Sequence, residues 1–389
     1  MRILCAGVGP WHTSAYGQQW DLFASRIRDL LGHEVAIWYF GRKGTDDNPA
    51  TAHPRSRAAI KSGLWKGMRV AGAGSSEFAM PTPAEARELF GGQDPDLILC
   101  LKDPFILRIG DYKGRPCAVW ANVDCTPLGY GDRQFFSSSG ASPIATSRFG
   151  IRQLEDAGFA SRYVPHGIDL SLWRPPESKA AAKEWIGLPP DAFVAGICAM
   201  NTGTVSRKAF YEQMAGFSQF TERGRVPDCY LLMHTRPDDP AGIDLRAVAR
   251  HLGIEHQVLF AKHDQQRPAD LLTWYQSLDV LLSATYGEGF GVPVIEALAC
   301  GVPVIGSRNS ATTEKIGPGC GWLVNCQPFW HPEFRAEWRI PRIGEIAAAL
   351  GNAQGFRLQA PAGAVASYDA DYVTLNHWKP VLDELGAAL

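Results

Sequence analysis

Two glutamates separated by seven residues stand out in this 389-residue chain. They lie in Tyr286-Gly287-Glu288-Gly289-Phe290-Gly291-Val292-Pro293-Val294-Ile295-Glu296, which continues as Ala297-Leu298-Ala299-Cys300-Gly301-Val302-Pro303-Val304-Ile305. The pattern predicts a strand ending near Tyr286, a glycine-rich loop, a helix opening around Pro293 and closing at Gly301, and a new strand from Val302. Proline costs little in the first helical turn, where its missing N–H would be unpaired anyway. Gly287, Gly289 and Gly291 let backbone approach a ligand, and the helix start offers free amides with partial positive charge. A diphosphate suits that environment. Glu296, about one turn into the helix, can accept hydrogen bonds from a vicinal diol such as a ribose, and Glu288 can do the same for sugar hydroxyls. Charge-assisted bonds of this kind contribute about 1.5–3 kcal/mol each.

Cations for the diphosphate stand earlier, in Asn201-Thr202-Gly203-Thr204-Val205-Ser206-Arg207-Lys208. Neutralising a departing diphosphate requires positive charge in a water-poor site, and Arg207 and Lys208 have the right chemistry. The same pair on an exposed loop would simply be solvated.

The spacing of Glu288 and Glu296 within this strand–loop–helix pattern resembles the EGFG…E motif of glycosyltransferase family 4, the retaining glycosyl transferases group 1. Tyr163-Val164-Pro165-His166-Gly167-Ile168-Asp169 is similar to that family's PHGVD-type segment, and Ser147-Arg148-Phe149-Gly150 to the stretch before it. The likeness is close from about residue 142 to 330 and patchy before. It implies the GT-B fold: two Rossmann-like, doubly wound α/β domains facing across a cleft, with a C-terminal helix crossing back to the first. It also implies transfer of a hexose, with retention of configuration, from a nucleotide-diphosphate sugar of the GDP-mannose or UDP-glucose type to an acceptor hydroxyl, with no metal required. Within it, Glu288, Arg207 and Lys208 take catalytic roles, while Gly287, Glu296, Gly289, Phe290, Gly291 and Lys262 bind the donor. Lys262 is placed near the nucleobase.

A double displacement would need a carboxylate at the anomeric carbon. Asp124, in Ala121-Asn122-Val123-Asp124-Cys125-Thr126-Pro127, is the first-domain candidate, though it serves equally well as a turn cap before Pro127. Related enzymes lack an evident nucleophile. The expectation is therefore same-face attack assisted by the diphosphate, with Asp124 positioning or deprotonating the acceptor hydroxyl. His12 and His166 are further candidates for the cleft, although a lone histidine is more often structural. Two readings from other classes stay open: a GT-B nucleotide-sugar epimerase or phosphorylase, and a non-catalytic nucleotide-sugar-binding protein. The acceptor is open among lipid carrier, glycan, small molecule, protein and modified nucleic acid.

The first-domain loop departs from the family. It reads Ser14-Ala15-Tyr16-Gly17 where Gly-Gly or SGYG turns are common, and Ala15 disfavours a positive φ. Gly7-Val8-Gly9 begins like a dinucleotide fingerprint, but His12 stands where its third glycine belongs, which argues against NAD.

Short apolar runs alternating with amphipathic stretches predict two parallel α/β domains, in line with a length beyond that of one hydrophobic core. First-half strands are expected at Arg2–Ala6, Glu34–Tyr39, Asp96–Leu101, Ala118–Asn122 and Ser142–Thr146. Second-half strands are expected at Phe193–Met200, Cys229–His234, Gln257–Lys262, Asp279–Ala284, Val302–Gly306 and Trp322–Asn325. The expected boundaries are 1–172, a proline-rich linker at 173–190 without helical or strand periodicity, and 191–369. The tail, 370–389, reads as a helix interrupted by Pro380 that rejoins the first domain.

A net charge of −2 excludes a global pull towards nucleic acid or anionic lipid, although residues 1–165 carry 19 basic against 16 acidic residues. Nine cysteines without CxxC spacing fit buried thiols in a reducing cytoplasm. Neither a signal peptide nor an apolar span of membrane length is expected. One stretch, 55–69, places Ile60, Leu64 and Met68 at i, i+4 and i+8 among Arg57, Lys61, Lys66 and Arg69. It reads as an amphipathic helix packed on the first domain, with peripheral contact to an anionic surface as the alternative.

Overall fold

The computed structural model describes residues 1–41, 54–203, 205–224, 228–261, 268–358 and 361–388. The chain packs as two units. One comprises Met1–Gly167, Pro332–Ala336 and Tyr368–Leu389; the other comprises Ile168–His331 and Glu337–Ser367.

The first unit is built on eight strands: β1 (Arg2–Gly7), β2 (Glu34–Gly41), β3 (Leu64–Trp65), β4 (Met68–Glu77), β5 (Leu97–Leu101), β6 (Cys117–Ala121), β7 (Ser142–Ala145) and β8 (Arg162–Tyr163). Their order is β3-β4-β2-β1-β5-β6-β7-β8. All pairs are parallel except β3 with β4. Alternation along β1 explains the layering: Ile3 and Cys5 enter one core and Leu4 and Ala6 the other. Strands buried on both faces read as continuous apolar runs, which is why these were visible in the sequence.

β4 was not. After Val70 it runs Ala-Gly-Ala-Gly-Ser-Ser, small residues with no strand propensity of their own. Its neighbourhood also corrects the helix expected over 55–69. The helix is Pro54–Ser62, and Gly63, Lys66 and Gly67 all take positive φ (66°, 47° and 80°), turning the chain into the β3–β4 pair. Met68 is buried in β4 while Ile60 and Leu64 are exposed, so the three do not share a helical face.

On the Ile3 face, the helix Ala15–Asp29 and the chain end meet in an aromatic core. Trp378 packs edge-on against Trp120 (4.8 Å) and Phe23 (6.2 Å). The Gln19 carboxamide makes paired 2.9 Å bonds with the N–H and carbonyl of Gly167. A Cβ at 167 would lie 2.8 Å from the Phe23 ring, so only glycine fits this approach. The tail breaks as the proline demands: Thr374–Trp378 widens into a π turn between Ala370–Val373 and Lys379–Ala387. The Lys379 N–H reaches five residues back, to the Thr374 carbonyl.

The second unit holds β9 (Phe193–Cys198), β10 (Cys229–His234), β11 (Val258–Phe260), β12 (Val280–Ser283), β13 (Val304–Ser307) and β14 (Gly321–Val324), in the parallel order β11-β10-β9-β12-β13-β14. Two further strands, β15 (Cys326–His331) and β16 (Ala336–Pro341), pair as a separate ribbon. The segment expected to lack periodicity contains the helix Lys179–Trp185, capped by Ser178. Its Lys183 ammonium lies 2.8 Å from the buried Asp279 carboxylate, which also accepts the Val194 N–H at 2.9 Å. The helix is thereby tied to the start of β9 and β12.

Candidate functional site

β12 ends at Ser283, and the chain passes through Tyr286–Gly291 into the helix Val292–Ala299. Gly291 is the residue before the helix, at φ 91°, a conformation that a side chain would strain. Pro293 lies in the first turn. Phe290 is 2% exposed and anchors the loop from below.

The Arg207-Lys208 loop lies directly against this turn. Lys208 Nζ is 2.6 Å from Glu288 Oε2, and Arg207 Nη1 is 3.9 Å from the same oxygen. Arg207 Nη1 also donates to the Gly287 carbonyl, and the Arg207 carbonyl accepts the Tyr286 N–H at 2.9 Å. Gln213, in the helix Phe210–Gly224, donates to the Lys208 carbonyl (2.7 Å) and accepts the Ala284 N–H (3.1 Å), fixing the loop to the end of β12. Burial pushes the Glu288 carboxyl up, but Lys208 and Arg207 outweigh it and hold the group below its ordinary value. Glu288 is therefore an anion at neutral pH, beside two cations.

Glu296 is 4% exposed, on the inner side of its helix. Its Oε2 accepts the Tyr275 hydroxyl at 2.8 Å. Burial pushes its carboxyl up to about 7, with the Tyr275 bond opposing. The two glutamates of one motif thus have opposite electrostatics: Glu288 is charged and paired, and Glu296 sits at the edge of ionisation.

Residues 243–328 match the model of the family described as glycosyl transferases group 1. Over those residues the chain resembles this group. D-inositol 3-phosphate glycosyltransferase 2 of Catenulispora acidiphila is 35% identical over 181 residues, 43% of this chain and 39% of that protein. Lipopolysaccharide core biosynthesis mannosyltransferase LpsB of Rhizobium meliloti is 28% identical over 242 residues, 53% of this chain and 64% of that protein. The chain thus spans between 39% and 64% of the lengths of these two relatives. Among solved structures, sucrose-phosphate synthase of Thermosynechococcus elongatus superposes with a TM-score of 0.71 at 17% identity, covering 100% of both chains. Anabaena HepE, in complex with UDP and glucose, superposes with a TM-score of 0.69 at 15% identity, again covering 100% of both. The two parallel α/β units are those of the GT-B fold.

Arg207, Lys208, Gly287, Glu288, Gly289, Phe290, Gly291 and Glu296 all fall in the second unit, on two loops and one helix. Lys262 lies outside the described residues. Asp124 lies in the first unit, half-buried beyond β6. Its neighbour Asp132 has a carboxyl pushed up to about 8, chiefly by burial and then by the charges of Asp103 and Asp124. His166 is 2% exposed and packs edge-on against Trp120 at 4.4 Å, so it belongs to the aromatic core of the first unit. His12 Nδ1 accepts the Ser14 N–H at 3.0 Å. Ala15 lies within the helix that Ser14 caps, and Gly17 is the residue that needs to be small: a Cβ there would lie 2.5 Å from the His12 carbonyl. Sequence reading missed Tyr275, Gln213, Ser310 and Lys315, which support the motif from distant elements and carry no local pattern.

Glu296 gives a pH prediction. Its folded value, about 7, exceeds the unfolded 4.5. The fold therefore retains a proton that the unfolded chain releases, and this group's contribution to stability falls as pH rises between those values. A ribose diol donating to the carboxylate favours the ionised form. Binding of UDP or GDP is accordingly expected to release a proton near neutrality and to weaken, approaching tenfold per pH unit, below about pH 7. Calorimetry in buffers of different ionisation enthalpy reads the proton count. Zero release or uptake contradicts the assignment.

Proposed function

We propose that this chain is a retaining glycosyltransferase that moves a hexose from a nucleotide-diphosphate sugar to an acceptor hydroxyl. One observation carries the reading: Arg207 and Lys208 converge on Glu288 at the start of the helix that buries Glu296. Each part has a task at a donor. The amides at the Val292–Ala299 helix start and the two cations meet the diphosphate. Glu296, its rotamer set by Tyr275, meets the ribose diol, and Glu288 takes hydroxyls of the sugar. Departure of the diphosphate leaves positive charge developing at the anomeric carbon, and the leaving oxygens can assist same-face attack by the acceptor. Atoms balance without a covalent enzyme intermediate: the anomeric C–O bond to phosphate breaks, the bond to the acceptor oxygen forms, and the acceptor proton passes to the leaving diphosphate or to a carboxylate. Asp124 is assigned the positioning or deprotonation of the acceptor hydroxyl, and Lys262 a contact with the nucleobase.

HepE has been solved with UDP and with UDP-glucose, and LpsB is named a mannosyltransferase, which supports UDP-glucose and GDP-mannose as the donors to try first. The inositol phosphate in other relatives' names makes a small polyol one acceptor class to screen, beside glycans, lipid carriers and modified nucleic acid. A cytoplasmic location, peripheral to a membrane if residues 55–69 contact an anionic surface, fits these acceptors. Among the described residues no helix is long and apolar enough to cross a membrane.

Release of UDP or GDP from its sugar, with and without an acceptor panel, tests the reading. A transferase releases nucleotide faster with acceptor, and Asp124→Asn lowers that rate about 10²- to 10⁴-fold if Asp124 is the base. Nucleotide binding without release by the wild type contradicts transfer and points to a binding protein. Unchanged turnover in Asp124→Asn removes that residue's role.

A further inference from the structure

Lys315 is 5% exposed, and nothing in the proposed chemistry uses it. It follows the 3₁₀ turn Ser310–Glu314, which comes directly after β13. Its Nζ lies 3.9 Å from the centre of the Phe290 ring, the aromatic residue of the Glu288 loop, and donates to the Ala311 carbonyl at 3.2 Å. Lysines are rarely so buried, because a charge in a poorly solvated site costs several kcal/mol before its partners compensate.

The same turn grips Glu288 by its backbone. Ser310 Oγ accepts the Glu288 N–H at 2.9 Å, and the Ala311 N–H donates to the Glu288 carbonyl at 3.2 Å. One residue earlier, Asn309 Nδ2 donates to the Tyr286 carbonyl at 2.8 Å. Ser310 does this from φ 48°, the left-handed region in which a side chain is strained. A strained backbone is maintained only where surrounding contacts enforce it. Both backbone polar groups of Glu288 are thus supplied by the turn that Lys315 ties to Phe290.

We propose that Ser310–Lys315 is a positioning element for Glu288, in which the buried Lys315 ammonium clamps the 3₁₀ turn to Phe290 and so fixes the carboxylate that faces the donor sugar. This rests on the glycosyltransferase reading and adds to it residues that do not touch the reacting groups. The charges facing Lys315 are Glu314 on its own turn and Glu288 across it, with Lys208 and Arg207 acting through Glu288. Burial pulls the ammonium down to about 8, with Glu314 and Glu288 opposing. The folded value lies below the unfolded 10.5, so between those values the folded state has already released the proton and this group's contribution to stability rises with pH. Loss of the clamp above about pH 8 is therefore separable from unfolding.

The test pairs a ligand-free measurement with a catalytic one, on Lys315→Met, Lys315→Arg and Ser310→Ala in the full chain. Amide hydrogen exchange is expected to rise about tenfold at Glu288 and Ala311 in Lys315→Met, at Glu288 alone in Ser310→Ala, and nowhere along β13 in either. For hydrolysis of UDP-glucose and GDP-mannose, wild-type kcat should fall above about pH 8. The fall should move to higher pH in Lys315→Arg, which keeps its charge. Lys315→Met should show a low kcat at every pH, with UDP and GDP affinity within about twofold of wild type. Unchanged exchange in Lys315→Met overturns the proposal whatever the activity, and so does an alkaline fall that stays in place in Lys315→Arg. Wild type that binds and hydrolyses neither sugar counts against the glycosyltransferase reading, while the exchange result still decides the clamp.

Discussion

Lys208→Ala is expected to lower kcat about 100- to 1,000-fold, the range seen when one group that stabilises transition-state charge is removed. Lys208 is 2.6 Å from Glu288 and belongs to the cation pair assigned to the leaving diphosphate, so the substitution acts twice. It removes positive charge where negative charge accumulates, and it relieves the depression of the Glu288 carboxyl, which burial alone would raise. The second effect has a signature of its own. The folded Glu288 value lies below the unfolded one, so its contribution to stability is present above the unfolded value and is lost as pH falls through the folded one. In Lys208→Ala the acid limb of the pH–kcat profile should move upward. Single-turnover release of nucleotide from UDP-glucose or GDP-mannose measures both. Arg207→Ala should cost less at Glu288, which it approaches only to 3.9 Å, and should loosen the loop through its lost bond to the Gly287 carbonyl. A Lys208→Ala enzyme with wild-type kcat and an unmoved acid limb would remove Lys208 from the chemistry.

Glu296→Ala is the second large effect, and it falls on binding. A carboxylate receiving ribose hydroxyls contributes about 1.5–3 kcal/mol, so the Kd for the cognate nucleoside diphosphate should rise roughly 10- to 100-fold. The variant also removes the Glu296 Oε2 acceptor of the buried Tyr275 hydroxyl, leaving it beside Cys198, and loss of that bond costs about 0.5–1.5 kcal/mol of stability. Glu296→Gln separates the two, because the carboxamide oxygen can still take the tyrosine proton while the charge is gone. Thermal unfolding should find Glu296→Gln close to wild type in melting temperature, and titration calorimetry should find it weakened for UDP or GDP, with the proton release near neutrality abolished. Wild-type affinity in both variants contradicts the ribose assignment.

How much of this was legible follows from how local each signal is. The Glu288–Glu296 motif occupies one strand end, one loop and one helix, so spacing alone carried its geometry. Arg207-Lys208 could be suspected but not placed, because its approach to Glu288 depends on the return of β9 beside β12. Doubly buried strands such as β5 and β6 announced themselves as apolar runs. β4 did not, since its Ala, Gly and Ser residues take their conformation from pairing with β2. The helix Lys179–Trp185 was hidden among prolines, although Ser178 and the Lys-Ala-Ala-Ala-Lys run are a sound start for one. For His166 a structural role was the favoured reading, and burial against Trp120 makes it part of the core of the first unit. Tyr275, Gln213, Ser310 and Lys315 had no pattern to reveal them. Each reaches the motif or the end of β12 from a distant stretch of chain, Tyr275 across 21 residues, Ser310 across 22 and Gln213 across 71.

The second unit is expected to bind a nucleoside diphosphate sugar through Glu296 and the loop of Glu288. Thermal unfolding with UDP, GDP, UDP-glucose, UDP-N-acetylglucosamine and GDP-mannose, on wild type and Glu296→Ala, tests it most directly. A ligand at about 100 times its Kd adds roughly 2.7 kcal/mol of stability. Nucleotides of one base should stabilise the wild type, and most of that stabilisation should be lost in Glu296→Ala. A wild type stabilised by none of the five, or a variant stabilised equally well, would contradict it.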